Sequence, residues 1–310
     1  MANGDLVFYG TAAVGLPIIR DLSRNFRLRL VVTQPDGRGG RHRQLIVPPI
    51  KRFAVENRLP LLQPPDMREP ELELALRRIE PDIAVVVAYG QFIPREIRDL
   101  PRHRTVNVHF SLLPAYRGAA PVQRAIQNGE SRSGITIFEL SGHMDAGPVW
   151  AREEMAIRPD DTTATFQQRL GERAAPFLRQ TVEQILSGAI QAFPQDESLA
   201  TLAPPLKKEE GLICWQLPAR RLHDHLRAFT PWPGLYFRLG AQQVKVLTAA
   251  VAQKGHQGCP GEILDLSPHH MQVACGLGTV LEILSIQPEG KKAMSPWQYS
   301  LGNRFPGRLE

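Results

Sequence analysis

The sequence predicts an α/β protein: a doubly wound, mostly parallel sheet followed by a smaller β-barrel. Three observations carry this expectation. The first 150 residues alternate short β-rich runs with segments of helical length and charge pattern, as a wound parallel sheet requires. Residues 83–88 read Ile-Ala-Val-Val-Val-Ala, an unbroken apolar run of the kind found in strands buried on both faces. Beyond residue 230, short β-type segments follow one another closely, separated by Gly and Pro, the pattern of a small barrel.

Taken in order, residues 6–9 and 28–33 read as strands, the first closing on Gly10 and the second built around Leu30, Val31 and Val32. Strands are then expected at 83–88, 105–109 and 134–140, with helices at 14–24, 49–57 and 70–79 between them. In such sheets ligands bind beyond the C-terminal ends of the strands. A long helix is expected over 162–186, where Phe166, Leu170, Ala174, Phe177, Leu178, Val182 and Ile185 recur at helical spacing. Asp160 or Asp161 caps its start in this reading and Gly188 ends it, while Pro176 is expected to kink or divide it. Residues 190–205, with Pro194, Pro204 and Pro205, read as a linker. A short helix at 222–229 and strands at 235–239, 244–249, 261–266, 271–274 and 281–286 complete the chain.

Composition narrows the class. Of 310 residues, 43% are hydrophobic and 22% charged, the balance of a globular protein, and no apolar run reaches the ~20 residues of a membrane helix. The N-terminus lacks the basic-then-apolar pattern of a secretory signal, so a cytoplasmic location is expected, with no membrane partner. Cys214, Cys259 and Cys275 have neither disulfide nor zinc spacing and read as small buried apolar residues; no metal is expected. The net charge of +6 is unevenly placed. Residues 34–52 hold Arg38, Arg41, Arg43, Lys51 and Arg52 against Asp36, and residues 206–310 hold 12 basic against 8 acidic groups. A polyanion could touch both regions, although a solvated basic surface would look the same.

Two loops offer chemistry. Asn107 and His109 stand two apart on a predicted strand and so face the same way, just before Ser111-Leu112-Leu113-Pro114 turns the chain. After the strand at 134–140, Gly142 and Gly147 bracket Asp145 in a tight loop. No Ser or Cys sits in a nucleophile elbow. Amide, imidazole and carboxylate together suit carbonyl transfer without a covalent enzyme intermediate: Asn107 donating to a carbonyl oxygen, His109 stabilising an oxyanion and Asp145 assisting loss of an amine proton. Each residue taken alone also fits a capped strand end or a turn. His143 competes weakly with His109. His223, His225, His269 and His270 read as surface residues, and Trp215 and Trp232 as core anchors of the second domain.

Asn107-x-His109-x-Ser111-Leu112-Leu113-Pro114-x-Tyr116-Arg117-Gly118 with Asp145-x-Gly147 resembles the folate-dependent formyltransferases. Thr33-Gln34-Pro35-Asp36, Val87-Ala88-Tyr89-Gly90, Pro231-Trp232-Pro233 and Gln287-Pro288-x-Gly290-Lys291-Lys292-Ala293-Met294 narrow the resemblance to those acting on methionyl-tRNA. The resemblance implies a Rossmann-like catalytic domain at 1–189, a linker at 190–206 and an OB-like barrel at 207–310 that binds tRNA. It implies 10-formyltetrahydrofolate as cosubstrate, held by Val87, Ala88, Tyr89, Gly90, Ser111, Leu112, Leu113 and Pro114. It implies methionyl initiator tRNA as acceptor, touched by Arg38, Arg41, Arg43, Lys291 and Lys292; a monomer is expected. The sequence departs from the family at Phe110, where a very small residue is usual, at Ala12-Ala13 in the first loop, and at Arg43-Gln44, where two lysines are usual. Two other readings stay open: a formyltransferase acting on the amine of a nucleotide sugar, and an RNA-binding protein with a vestigial site.

Overall fold

The computed structural model describes residues 4–39 and 44–309. By its contacts the chain forms two units. Met1–Gly118, Ser133–Ala156 and Gln167–Leu202 make the first, and Ala119–Arg132, Ile157–Phe166 and Ala203–Glu310 make the second.

The first unit is built on a seven-stranded sheet. Its early elements are β1 (Asp5–Gly10), α1 (Leu16–Asn25), β2 (Arg27–Val32), the hairpin β3 (Gly37–Gly39) and β4 (Gln44–Ile46), α2 (Pro49–Glu56), β5 (Leu61–Leu62) and α3 (Pro70–Ile79). β6 (Ile83–Val87), α4 (Arg95–Arg98), β7 (Thr105–His109), α5 (Pro121–Gln127), β8 (Arg132–Glu139), β9 (Val149–Ala156) and α6 (Thr163–Leu186) follow, of which α5 and the first turn of α6 group with the second unit. The strand order is β5-β2-β1-β6-β7-β8-β9. β5 through β7 run parallel, and β8 pairs antiparallel with β7.

Every residue of β6 is buried, which is why its sequence is an unbroken apolar run. One face of the sheet (Val7, Tyr9, Leu30, Val32, Ala84, Val86) packs on Leu72, Leu76 and Met67. Residues of the opposite face, Phe8, Val31, Val85 and Val87, are equally buried, as are Ile18, Ile19 and Leu22 of α1. Sheet and helix periodicities agree in placing these side chains inside.

Several expectations change in detail. α6 is one helix in spite of Pro176. Its cap is Thr162, not Asp160 or Asp161: Thr162 Oγ1 accepts from Thr165 N at 3.3 Å and Thr165 Oγ1 accepts from Thr162 N at 2.9 Å. Asp161 instead turns back to accept from Arg158 N. Gly188, at φ +70°, ends the helix as expected. β9, α5 and the β3–β4 hairpin were not expected: charges interrupt β9, α5 is only seven residues long, and β3 is Gly-Arg-Gly.

The Pro-rich stretch at 190–205 is not loose chain. Up to Leu202 it groups with the first unit: Phe193 exchanges both backbone hydrogen bonds with Val149, and Arg117 N donates to Thr201 O. Prolines forbid a long ladder, yet the remaining donors and carbonyls still find single partners.

In the second unit, α7 (Ala219–Phe229), β10 (Leu235–Leu239), β11 (Gln242–Val251), β12 (Ile263–Leu266), β13 (Met271–Ala274), β14 (Val280–Pro288) and α8 (Pro296–Ser300) follow in order. The strands form an antiparallel sheet, β10-β11-β14-β13-β12. Its inner residues include Phe237, Val246, Met271, Val273, Leu281 and Ile283, and Leu222 and Phe229 of α7 are also fully buried. Trp215 is a core anchor, tilted against Phe237 at 6.4 Å. Trp232 is not: it lies between two prolines in a turn and is 56% exposed. Cys214 and Cys259 are exposed on loops, so only Cys275 is the buried residue expected. His223 and His225 are half-buried on α7, not at the surface, because that helix packs into its unit along most of its circumference.

Candidate functional site

The first unit gathers its unusual polar groups at the C-terminal end of β7. Asn107 lies between Val86 of β6 and Phe138 of β8, and His109 stands opposite Thr136 of β8. Side-chain alternation puts both on one face. Asn107 is half-buried, and its amide has no hydrogen-bond partner among the described residues. The amide is not among the polar atoms sealed from solvent, so its bonding capacity is open to a bound group.

His109 is buried, edge-on to Phe138 with ring centroids 6.3 Å apart. Its Nε2 lies 2.9 Å from the Tyr116 carbonyl oxygen, which can only accept, so Nε2 carries the proton. Its Nδ1 faces Asp145 Oδ2 at 3.6 Å, beyond hydrogen-bond reach but close enough for strong charge coupling. Burial pushes the imidazole below the usual histidine value; the Asp145 charge and the Tyr116 carbonyl oppose that shift.

Asp145 adopts φ +50°, and its Oδ2 accepts from Gly118 N at 2.8 Å. Its other oxygen, Oδ1, has no hydrogen-bond partner among the described residues. The loop can close only with glycine at 147, where a Cβ would stand 1.7 Å from the Glu139 carbonyl oxygen. Tyr116 at φ +61° and Gly118 at φ +125° shape the facing loop.

The turn after β7 is pinned from β8 and β9. Thr136 Oγ1 donates to Ser111 O at 2.7 Å and accepts from Leu113 N, while Arg152 Nη1 donates to Leu113 O at 2.7 Å. Ser111 Oγ donates to Ala115 O at 2.6 Å; this hydroxyl is buried and engaged, so it is no nucleophile. After β6, Ala88 N–C=O and its neighbours fold back tightly: Thr11 N donates to Ala88 O, and Tyr89 O accepts from both Thr11 Oγ1 and Gln34 Nε2.

The structure sorts the residues named from sequence. Asn107, His109 and Asp145 come together. Of the eight residues expected to hold folate, Val87, Tyr89, Ser111, Leu113 and Pro114 have buried side chains, Leu112 is half-buried, and Ala88 and Gly90 are exposed. Tyr89 turns inward, its hydroxyl on Met67 Sδ at 3.0 Å. Arg41 and Arg43 lie outside the described residues, and Arg38 sits on β3. Lys51, counted in the basic segment, is paired with Asp36 at 2.7 Å. Lys291 and Lys292 are exposed in the second unit, with Lys291 Nζ 5.4 Å from the Tyr299 ring centroid. His143 is exposed.

Sequence reasoning missed three residues of the site's support. Arg117 is buried and binds Glu197 with two hydrogen bonds, 2.7 and 2.8 Å, and Gln195 Oε1 with two more. Gln195 Nε2 reaches Asp145 O and Gly147 O, each at 2.8 Å. Arg117 was visible as a cation beside a glycine turn; Gln195 and Glu197 were hidden in a stretch that reads as linker. Among the described residues no group of three or more His, Cys, Asp or Glu is placed to hold a metal. No helix among them is long and apolar enough to cross a membrane.

Similarity to known proteins covers both units. A family model described as formyl transferase matches residues 8–182, and one described as formyl transferase, C-terminal domain, matches residues 205–304. The chain is 39% identical over 309 residues to the methionyl-tRNA formyltransferase of Geobacter sulfurreducens, covering 99% of this chain and 96% of that one. It is 39% identical over 306 residues to the methionyl-tRNA formyltransferase of Moorella thermoacetica, covering 98% of each. Among solved structures, the sugar 3N-formyltransferase WlaRD, determined in the presence of dTDP and 5-N-formyl-THF, shares the fold. It has a TM-score of 0.68 at 14% identity, over 94% of this chain and 100% of that one.

Proposed function

The chain belongs to the methionyl-tRNA formyltransferase family, and from that premise we propose that it moves the formyl group of 10-formyltetrahydrofolate to the free amine of methionyl initiator tRNA. The observation that carries this reading is the unpartnered Asn107 amide beside His109 and Asp145 at the strand end. The acceptor is supported by similarity that runs through both units.

In this reading the neutral methionine amine attacks the formyl carbon, forming the new C–N bond and moving the carbonyl electron pair onto oxygen. The Asn107 amide donates to that oxygen at once, because no protein group competes for it. His109 adds its Nε2–H by exchanging the Tyr116 carbonyl for the substrate oxygen. Its depressed protonation keeps the ring neutral, so it donates without transferring its own proton. Asp145, anchored through Oδ2, takes the amine proton on Oδ1, directly or through water. Collapse breaks the bond to the folate N10, which takes up the proton and leaves as tetrahydrofolate.

The folate ring contacts the exposed Ala88 and Gly90 and the half-buried Leu112; Val87, Tyr89, Ser111, Leu113 and Pro114 shape the pocket from behind and through their backbones. The cations Arg38, Arg41, Arg43, Lys291 and Lys292 meet tRNA phosphates, which position a nucleic acid without reading its sequence. The enzyme acts as a cytoplasmic monomer.

Formyl transfer assayed with methionyl-tRNA and with an amino-sugar nucleotide tests the reading. Rapid formylation of methionyl-tRNA alone is expected. Transfer to the sugar alone would overturn the acceptor, and transfer to neither would overturn the reaction. Arg41→Ala with Arg43→Ala is expected to weaken use of methionyl-tRNA and to flatten its salt dependence by about one unit of slope per lost phosphate contact. Folate binding is expected to be unchanged, and identical tRNA kinetics across a salt series would show that these charges serve solubility only.

A further inference from the structure

Asp145 is held over His109 by one backbone donor, Gly118 N, on a loop whose backbone is itself in a left-handed conformation. Such a loop keeps its shape only if something outside it fixes it. The fixing group is Gln195. Its Nε2 donates to Asp145 O and Gly147 O, the carbonyls on either side of Ala146, each at 2.8 Å. Its Oε1 accepts from Arg117 Nε at 3.1 Å and Nη2 at 2.8 Å. Guanidinium is all donor and a carbonyl is all acceptor, so the amide has only one workable orientation. Arg117 is in turn closed by Glu197 and lies one residue from Gly118, the donor to Asp145. The same segment ties down the opposite loop: Thr201 Oγ1 accepts from Tyr116 N at 2.8 Å, and Tyr116 O receives the His109 Nε2–H.

We infer that Gln195 is a positioning residue: through Arg117 and the Asp145–Gly147 carbonyls it holds the Asp145 carboxylate against His109, so that residues 195–201 are a working part of the site. The inference rests on the formyl-transfer reading for its kinetic test, but the geometry it concerns exists without substrate.

Gln195→Met keeps length and neutrality and removes both donors and the acceptor. In the full chain, single-turnover formyl transfer to methionyl-tRNA is expected to fall about tenfold, within the coupling range of groups in one network, while KM for folate and tRNA holds. In an Asp145→Asn background the same substitution is expected to add almost nothing. An equal further loss there, or a full rate in the single variant, would overturn the inference. Gln195→Glu keeps the acceptor for Arg117 but replaces the donors with oxygen, and should slow transfer likewise if the Met variant folds poorly. NMR titration of His109 in the substrate-free protein separates this inference from the reaction assigned above. Loosening the Asp145 charge should move the His109 titration downward in Gln195→Met, and an unmoved titration would overturn the clamp. If the wild-type protein transfers no formyl group, the functional reading fails and the titration alone decides the clamp.

Discussion

Two places in the molecule hold histidines whose protonation burial disfavours, and they are built differently. On α7, burial pushes His225 down to about 4, its ring lies 5.3 Å from Phe229, and next to it Asp224 and Arg227 form an ion pair at 2.6 Å that is almost wholly buried. Asp224, His225 and Arg227 lie within a single helical turn. At the end of β7, burial likewise lowers His109, but Asn107, His109 and Asp145 arrive from separate segments, on backbone that other residues must hold in place. A depressed histidine therefore does not by itself mark a site. Convergence of unlike polar groups from different loops, with one of them left unpaired, is what makes the end of β7 the candidate.

Removing one charge from each place should separate them most sharply. Asp224→Asn leaves the buried Arg227 without its counter-charge and is expected to cost about 3–5 kcal/mol of stability, measured by urea unfolding. The molecules that remain folded should turn over normally, and a specific loss of turnover would move α7 into the catalytic machinery. His109→Ala should do the reverse: turnover down by about 10²–10³, with the melting temperature retained. Near-normal turnover in that variant would remove His109 from the mechanism.

Much of this contrast was legible in the sequence, and the part that was not has a physical reason. The parallel strands, Asn107, His109 and Asp145 could be read because β6 is uniformly apolar, because strand alternation is strict, and because Gly147 permits a closure that no other residue could make. Gln195 and Glu197 could not, because they act through side-chain hydrogen bonds across 50 and 80 residues of chain, in a Pro-rich stretch without periodicity. The same limit hid α7's role: His223 and His225 look like surface histidines until the helix is seen to be buried on most sides. Trp232, read as core, is exposed because hydrophobicity alone does not reveal that a residue sits at the tip of a turn.

A smaller effect sharpens the comparison through pH. The folded pKa of His225, about 4, lies below the ordinary value of 6.5, so the unfolded chain binds the extra proton first. Stability is then fully present above the ordinary value and is lost as pH falls from there toward 4, by up to roughly 3 kcal/mol before solvent screening reduces it. His225→Gln should flatten that part of the acid-unfolding profile, and an unaltered profile would place the proton uptake elsewhere. The smallest effect is expected at Phe110, which is buried beside His109 although neither attack nor proton transfer needs a ring there. Phe110→Gly should keep measurable activity; complete loss in a folded protein would show that the ring positions substrate.

The unpaired amide is the central claim, and Asn107→Leu tests it with the least disturbance, since the side chain has no protein hydrogen bond to lose. Single-turnover transfer from 10-formyltetrahydrofolate to methionyl-tRNA is the measurement. The expected result is a rate lower by about 10²-fold, with folate and tRNA affinities retained, as removal of one oxyanion donor requires. Transfer at the wild-type rate would contradict the account.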